Sequence, residues 1–297
     1  MKSKIVIGTW PLSGDYGKID SQVVQEILQY CHESGINEFD TAPNYGNGEI
    51  EIQLGKVFGN NTNVMINTKI GNLPFGKKSY DTKSFKKSLD DSLNRLNRDS
   101  INTLFLHNPR NEIKDYGIIL DFLHDLKNNG IINNIGLSKA KGFDYEKVVD
   151  LDEFDVIQED INMLSLNALK IPKPKGILMA RSPLASGLFS GRITKETVFP
   201  KDDHRSGWLT GKRLESLILR INEIKKISEL NLPDMAIRFL ASQNNIDKII
   251  FGIKNKTHIE NIMNQIEQKP LDNSISEKII HLFDIDYGLK DQKEFRY

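Results

Sequence analysis

An aspartate, a tyrosine, a lysine and a histidine follow one another within the first 107 residues. Asp40 and Tyr45 lie in Phe39-Asp40-Thr41-Ala42-Pro43-Asn44-Tyr45-Gly46, Lys69 in Met65-Ile66-Asn67-Thr68-Lys69, and His107 in Leu104-Phe105-Leu106-His107-Asn108-Pro109. Each has a structural reading of its own. Pro43, Asn44 and Gly46 are turn formers. A lysine in an apolar strand reads as half of a salt bridge, and a histidine there as a core residue with its hydrogen bonds met. Together, successive strands that carry Asp, Tyr, Lys and His to one face define a chemistry. A phenol with a pKa near 10 is a weak acid at neutral pH. An ammonium about 4 Å away, at an effective dielectric of about 20, favours the phenolate by about 4 kcal/mol. That is roughly three pKa units before desolvation takes some back. An aspartate beside the lysine keeps it charged and in place, and a neutral histidine can donate a hydrogen bond to a carbonyl oxygen. The set is a proton donor for a developing alkoxide, as general acid catalysis of carbonyl reduction requires.

The elements that must position these residues follow from the hydrophobic pattern. Short apolar runs at 4–8, 37–40, 64–70, 101–106, 134–137, 154–158, 176–180 and 248–251 read as strands. Helical-period runs lie between them at 21–33, 50–58, 82–96, 116–128, 145–151, 165–169, 213–230, 233–243 and 257–266. On the first helix, Val23, Val24, Ile27, Leu28 and Cys31 share a face. Strands alternating with helices predict βα units around a parallel sheet, and eight of them fit a (β/α)8 TIM barrel. The expected organisation is one barrel domain over 1–297, with a long loop at about 182–211 and a tail at about 271–297. A doubly wound open sheet is the alternative. Against it, Gly8-Thr9-Trp10 follows the first strand where a Gly-x-Gly-x-x-Gly would be expected. In a barrel, function sits at the carboxyl ends of the strands.

Composition narrows the class. The 40 basic and 40 acidic residues cancel, and no charge run reads as a nucleic-acid arm. The lone cysteine, Cys31, excludes an intrachain disulfide. No apolar stretch approaches the ~18 residues of a membrane span, and the N-terminal residues lack the pattern of a secretory leader. The expectation is a soluble, cytoplasmic protein that binds no nucleic acid and no membrane. Its oligomeric state is not written in the chain. Of six histidines only His107 falls at a strand end, so a metal-dependent hydrolase is disfavoured. There is no Gly-x-Ser-x-Gly elbow for a serine nucleophile.

The motifs around Asp40, Tyr45, Lys69 and His107 resemble those of the aldo-keto reductases, over nearly the whole chain and in the family's order. The resemblance implies a nicotinamide cofactor bound without a Rossmann domain, with Asp40, Tyr45, Lys69 and His107 as the catalytic tetrad and a small-molecule carbonyl substrate. Gly8, Thr9 and Trp10 look like the first-strand motif whose aromatic lines the substrate site. Ser138 and Gln158 match the contacts to the nicotinamide carboxamide, with Asn162 following in the family's manner. Ser182-Pro183-Leu184-Ala185-Ser186-Gly187-Leu188 is similar to the segment along the pyrophosphate, so Ser182, Leu184, Ser186 and Gly187 are candidate cofactor residues. Phe199-Pro200 and Asp203-His204-Arg205 resemble the loop after it.

Several positions depart from the family's pattern. Lys139 follows Ser138 where an asparagine is usual. Arg181 stands where many members stack an aromatic on the nicotinamide. A guanidinium plane can also stack, and its charge would disfavour the oxidised ring and bias the site toward reduced cofactor. Ile253 and Lys254 open the region of the adenosine end, and Lys254 is a partner for a 2′-phosphate, so NADP(H) is expected over NAD(H). His258, Asn261 and Ile262 replace residues usual in that region. The same fold also allows a non-catalytic nicotinamide-binding redox sensor or regulatory subunit. Substrate choice would lie with the loops at 10–12, 72–80 and 108–116 and with the tail. In the second of these, Lys77 and Lys78 read either as solvated surface or as a site for an anionic or sugar-like substrate. Trp208 would cover the cofactor or substrate, or anchor its loop. Phe295-Arg296-Tyr297 would reach the barrel mouth or join subunits.

Overall fold

Eight parallel strands close into a barrel in chain order in the computed structural model, which describes residues 2–111, 113–170, 172–289 and 297. They are β1 (Ile5–Gly8), β2 (Glu38–Asp40), β3 (Met65–Ile70), β4 (Ile101–His107), β5 (Ile132–Ser138), β6 (Val156–Asp160), β7 (Ile177–Arg181) and β8 (Lys248–Gly252). Around them run α1 (Ser21–Glu33), α2 (Glu49–Phe58), α3 (Thr82–Leu96), α4 (Tyr116–Asn128), α5 (Gly211–Lys225), α6 (Leu232–Ala241), α7 (Lys256–Ile266) and α8 (Asn273–Asp284). The expected barrel is thus the observed one. Parallel strands are covered on both faces, which is why they read as apolar runs rather than alternating ones.

Helix starts follow capping chemistry. The side chains of Asp20, Asp81, Asp115, Asn231 and Asn255 each accept a backbone N–H in the first turn of the helix that follows. Each cap contributes about 1 kcal/mol. On α1 the buried face is Val24, Ile27, Leu28 and Cys31. Val23, expected among them, is 42 % exposed because it lies one position off that stripe.

Two apolar layers form. The larger lies between sheet and helices. The smaller fills the barrel with Val6, Phe105, Val156, Met179 and Ile250. Gly136 makes room for it: a Cβ there would lie 2.3 Å from the Phe105 ring. At the amino end of the barrel the filling turns polar, where Glu38 pairs with Lys248 and accepts from Asn67 Nδ2 at 2.9 Å.

Four expectations need correction. The run 145–151 is not a helix but two 3-10 turns, Tyr145–Lys147 and Leu151–Glu153. The Tyr145 hydroxyl is tied to the Pro109 carbonyl and the Ala140 N–H, and Asp150 accepts from Asp152 N, so local side-chain bonds replace helical ones. The run 165–169 keeps only the turn Asn167–Leu169. Helix α5 stops at Lys225, short of the expected 230. The tail, where no helix was expected, holds α8, followed by a buried Arg220–Asp286 ion pair at 3.2 Å. Of the C-terminal aromatic cluster, Phe295 and Arg296 lie outside the described residues. Among the described residues no helix is long and apolar enough to cross a membrane, and no cluster of His, Cys, Asp or Glu could hold a metal ion.

Candidate active site

Three strand ends and the turn after one of them converge at the carboxyl mouth. Asp40 closes β2, Lys69 lies one residue from the end of β3, and His107 closes β4. Tyr45 stands in the 3-10 turn Tyr45–Gly48 just after β2. The Lys69 ammonium is 2.5 Å from Asp40 Oδ1 and 2.7 Å from the Thr41 carbonyl, and donates to the Tyr45 hydroxyl at 3.4 Å. Lys69 is 2 % exposed and Asp40 4 %. Burial pulls the lysine pKa down, but the charge of Asp40 and the hydrogen bonds of Asp40 and Tyr45 carry it upward on balance, so the ammonium persists.

The phenol behaves otherwise than expected. Burial, joined by the charge of Asp40, pushes the Tyr45 pKa up by more than Lys69 and Arg181 pull it down. The resting group is therefore a protonated phenol beside a fixed cation, a donor with its counter-charge in place. His107 is held well below the ordinary imidazole value by burial, then by Lys69, Arg181 and Lys78. It is neutral, and its Nδ1 has no protein partner among the described residues.

Trp10 stacks on Tyr45 with centroids 5.9 Å apart and planes at 17°. Its indole N–H donates to Asp15 at 2.7 Å, and its ring lies 4.8 Å from that of His204. Thr9 is buried and donates to the Asp40 carbonyl at 2.9 Å. Gly8 is required by close packing, since a Cβ would lie 2.9 Å from Ile250. Over Trp10 opens a cavity of about 590 Å³, walled by Asn44, Asn72, Lys77, Lys201 and Asp202 among others.

The candidate cofactor residues divide into groups. Gln158 donates its amide to Asp40 Oδ2. Ser138 Oγ accepts from Arg181 at 3.1 Å, and the same guanidinium donates to Asn108 Oδ1 (3.1 Å), to the Lys139 carbonyl and to Asp160 Oδ2 (3.2 Å). Arg181 thus ties the ends of β4 to β7 together, while its buried Nε has no protein partner among the described residues. Burial opposes its charge, but Asp160 and the neighbouring acids outweigh burial. The Lys139 ammonium is paired with Glu159 (2.9 Å) and Glu146 (3.3 Å), so only its carbonyl meets Arg181.

Ser182 donates to Asp160 at 2.7 Å. In the segment it opens, Ser182, Ala185 and Ser186 take left-handed φ of 57°, 46° and 56°, and Gly187 one of 90°. Three non-glycine residues in that region store about 1 kcal/mol or more each, strain that clusters at ligand sites. Leu184 turns this loop through its carbonyl, which accepts Gly187 N–H at 2.9 Å. Ile253 is buried, Lys254 donates to the Tyr16 carbonyl, and His258 Nδ1 accepts the Lys254 N–H at 3.3 Å. Asn261 instead hydrogen-bonds Asp234 of α6 at 3.3 Å. Trp208 packs near Tyr297, with the Arg213 guanidinium 5.4 Å from its ring, so it anchors the loop. Tyr297 reaches the mouth, its hydroxyl 3.2 Å from Ser186 Oγ.

Two contributors escaped the sequence reading. Asp160 lies two residues after Gln158, on the same face of β6, a parity that reveals it in retrospect. Tyr16 has no such signal. Its backbone pairs with Asp203 across two distant loops, and burial pushes its hydroxyl up to about 12.

With this geometry in hand the comparisons are informative. The chain belongs to the aldo/keto reductase family, whose model matches residues 4–281. It is 24 % identical over 278 residues to the NADH-specific methylglyoxal reductase of Escherichia coli (strain K12), covering 84 % of this chain and 85 % of that protein. It is 26 % identical over 298 residues to a probable voltage-gated potassium channel subunit beta of Arabidopsis thaliana, covering 91 % and 89 %. In fold it is similar to the glycerol dehydrogenase of Gluconobacter oxydans, with a TM-score of 0.76 at 22 % identity over 96 % of this chain and 92 % of that one. Membership places the chain in a family of oxidoreductases that act on carbonyl compounds with nicotinamide cofactors.

Proposed function

We propose that the protein reduces an aldehyde or ketone to the alcohol with NADPH, and that Tyr45 donates the proton. The observation that carries this reading is the buried Lys69 ammonium, which touches both Asp40 and the Tyr45 hydroxyl. Bound nicotinamide would supply the hydride, a chemistry that belongs to the cofactor. The chain supplies the rest. Trp10 and Tyr45 form one wall against which a carbonyl can lie. The neutral His107 offers a ring N–H to its oxygen. As Tyr45 gives up its proton, Lys69 stabilises the phenolate left behind, and Asp40 holds Lys69 in position.

The residues present suit a dinucleotide. The unpartnered Arg181 Nε, the strained 182–187 segment and the cations Arg205 and Lys254 lie together at the mouth. Ser138, Gln158, Ser182, Ser186, Gly187, Ile253, Lys254 and His258 would hold the cofactor, with Lys254 leaving the Tyr16 carbonyl to meet a 2′-phosphate. Fluorescence titration with NADPH and NADH tests this. Tight NADPH binding that weakens about tenfold in Lys254→Ala, with NADH unaffected, is expected from loss of one charge-assisted contact. In turnover, Tyr45→Phe should lose about 10²-fold or more in kcat while still binding cofactor. Retained turnover in Tyr45→Phe would sink the proton-donor assignment.

A second reading has one observation in its favour, the similarity to potassium channel beta subunits. On it the chain binds the nicotinamide and regulates a partner. Binding of cofactor with no turnover across a broad panel of aldehydes and ketones would decide for it.

A further inference from the structure

Behind the catalytic strands stands a charge that the proposed reaction does not touch. Glu51 lies in the first turn of α2 and has no solvent exposure. An apolar residue would hold α2 to the barrel at less cost in desolvation, so the reason for a carboxylate lies in its contacts. Its Oε1 accepts from Thr68 Oγ1 at 2.6 Å, and Thr68 is the residue before Lys69 on β3. Side chains alternate along a strand, so Lys69 faces the mouth while Thr68 faces α2. Its Oε2 accepts from Arg95 Nε at 2.8 Å and from Ser92 Oγ at 3.2 Å, both on α3.

The same cluster supports the turn that carries Tyr45. Helix α2 starts directly after that turn, Tyr45–Gly48. Gly48 closes it with a φ of 95°, and a Cβ there would lie 3.0 Å from Arg95 Cδ. The Arg95 stem therefore fills the space beside the turn while its head grips Glu51. Further along α2, a Cβ at Gly55 would lie 2.3 Å from the Arg95 carbonyl, so α2 and α3 pack backbone to backbone. Moving the turn toward α3, or β3 along α2, disturbs a contact of Glu51 or Arg95.

From this arrangement we infer that Glu51 is a positioning residue: through Thr68 on one side and Arg95 on the other, it sets the separation of Lys69 from Tyr45. The inference rests on the carbonyl-reductase reading and adds to it a residue that never meets substrate. The contact it governs is a sensitive one. Lys69 Nζ and the Tyr45 hydroxyl stand 3.4 Å apart, at the long end for a hydrogen bond, so a small widening breaks it. A buried polar network with both carboxylate oxygens engaged holds one geometry where apolar packing would tolerate several.

Glu51→Leu would strip Arg95 of its carboxylate and endanger the fold, so the test cuts the link at Thr68. Thr68→Val keeps the shape, loses the hydroxyl and leaves Glu51 with Arg95 and Ser92; Thr68→Ser keeps the hydroxyl. In aldehyde reduction, Thr68→Val should lose about tenfold or more in kcat, since a misplacement of about 1 Å can cost 10²-fold. The aldehyde KM and the NADPH Kd should stay within about twofold, and Thr68→Ser should recover most of the loss. Tyr45 is faced by Lys69, Asp40, Arg181 and His107, of which Lys69 adjoins Thr68. Burial holds the phenol pKa up and Lys69 draws it down. With Lys69 withdrawn that pKa rises, so the basic limb of kcat, where Tyr45 loses its proton, should move to higher pH in Thr68→Val. A role in stability alone would lower the melting temperature and leave kcat and the limb in place. That result, or a Thr68→Ser as impaired as Thr68→Val, overturns the inference while leaving carbonyl reduction intact. If no aldehyde turns over, the reductase reading fails, and crystal structures decide the geometry alone. The gap between Lys69 Nζ and the Tyr45 hydroxyl should open beyond hydrogen-bond reach in Thr68→Val and stay closed in Thr68→Ser. A gap unchanged in Thr68→Val overturns the inference.

Discussion

Lys69 has almost no solvent exposure, and its nearest charge partner, Asp40, is equally buried. Removing one member of such a pair leaves the other as an uncompensated buried charge, which costs about 3–5 kcal/mol. Lys69→Met should therefore lower stability to chemical denaturation by that amount. Asp40→Asn/Lys69→Met should recover at least half of it, because no bare carboxylate remains. Near-equal stability of the single and double variants would mean that the Gln158 amide and other hydrogen bonds are enough to hold the buried Asp40 carboxylate without Lys69. The types and order of Asp40, Tyr45, Lys69 and His107 were legible in the sequence, because polar groups at the ends of apolar strands stand out. The balance of forces on them was not. Whether Lys69 or burial dominates the Tyr45 phenol depends on how dry the site is, and dryness comes from residues such as Trp10 that pack on it from the turn after β1.

At the scale of elements, the fit between neighbouring strands matters more than either strand alone. Phe105 of β4 fills the barrel interior opposite Gly136 of β5, with the two backbones in register. A methyl at position 136 would meet the ring at 2.3 Å, and a β5 backbone laddered on both sides cannot retreat. Gly136→Ala should destabilise the barrel by about 2–3 kcal/mol, as overpacking does. Adding Phe105→Leu should restore most of that, in thermal or urea unfolding. A neutral Gly136→Ala would show that the ring has room to turn aside. The strands and long helices were legible because their periods are backed by caps such as Asp81 and Asp115. The 145–153 stretch was not, because Tyr145 and Asp150 make local bonds that a periodicity count ignores. The turn of Lys139 toward Glu159 of β6 and Glu146 of the turn Tyr145–Lys147 is likewise a matter of which carboxylates the fold brings beside it.

Across the whole molecule, three loops far apart in sequence meet over the mouth. The loop after β1 brings Asp15 and Tyr16, the long loop after β7 brings Asp203, His204 and Arg205, and β8 is followed by Lys254. Asp203 is the hinge of this meeting. It is 4 % exposed, bridges to Tyr16 through its backbone, and grips Arg205, whose guanidinium in turn donates to the Ser186 carbonyl at 3.2 Å. On the proposed function, a nicotinamide dinucleotide lying along 182–187 would leave only when this strap parts, so the ion pair sets a release rate rather than a point of chemistry. Asp203→Ala frees Arg205 from its carboxylate and should speed NADPH dissociation by about tenfold in stopped-flow fluorescence, the scale of one charge-assisted contact. The effect should fall on dissociation more than association, as for most contacts that close over a bound ligand. An unchanged dissociation rate in a folded Asp203→Ala protein would show that the strap is wall rather than latch, with the cofactor leaving by the open side of the mouth.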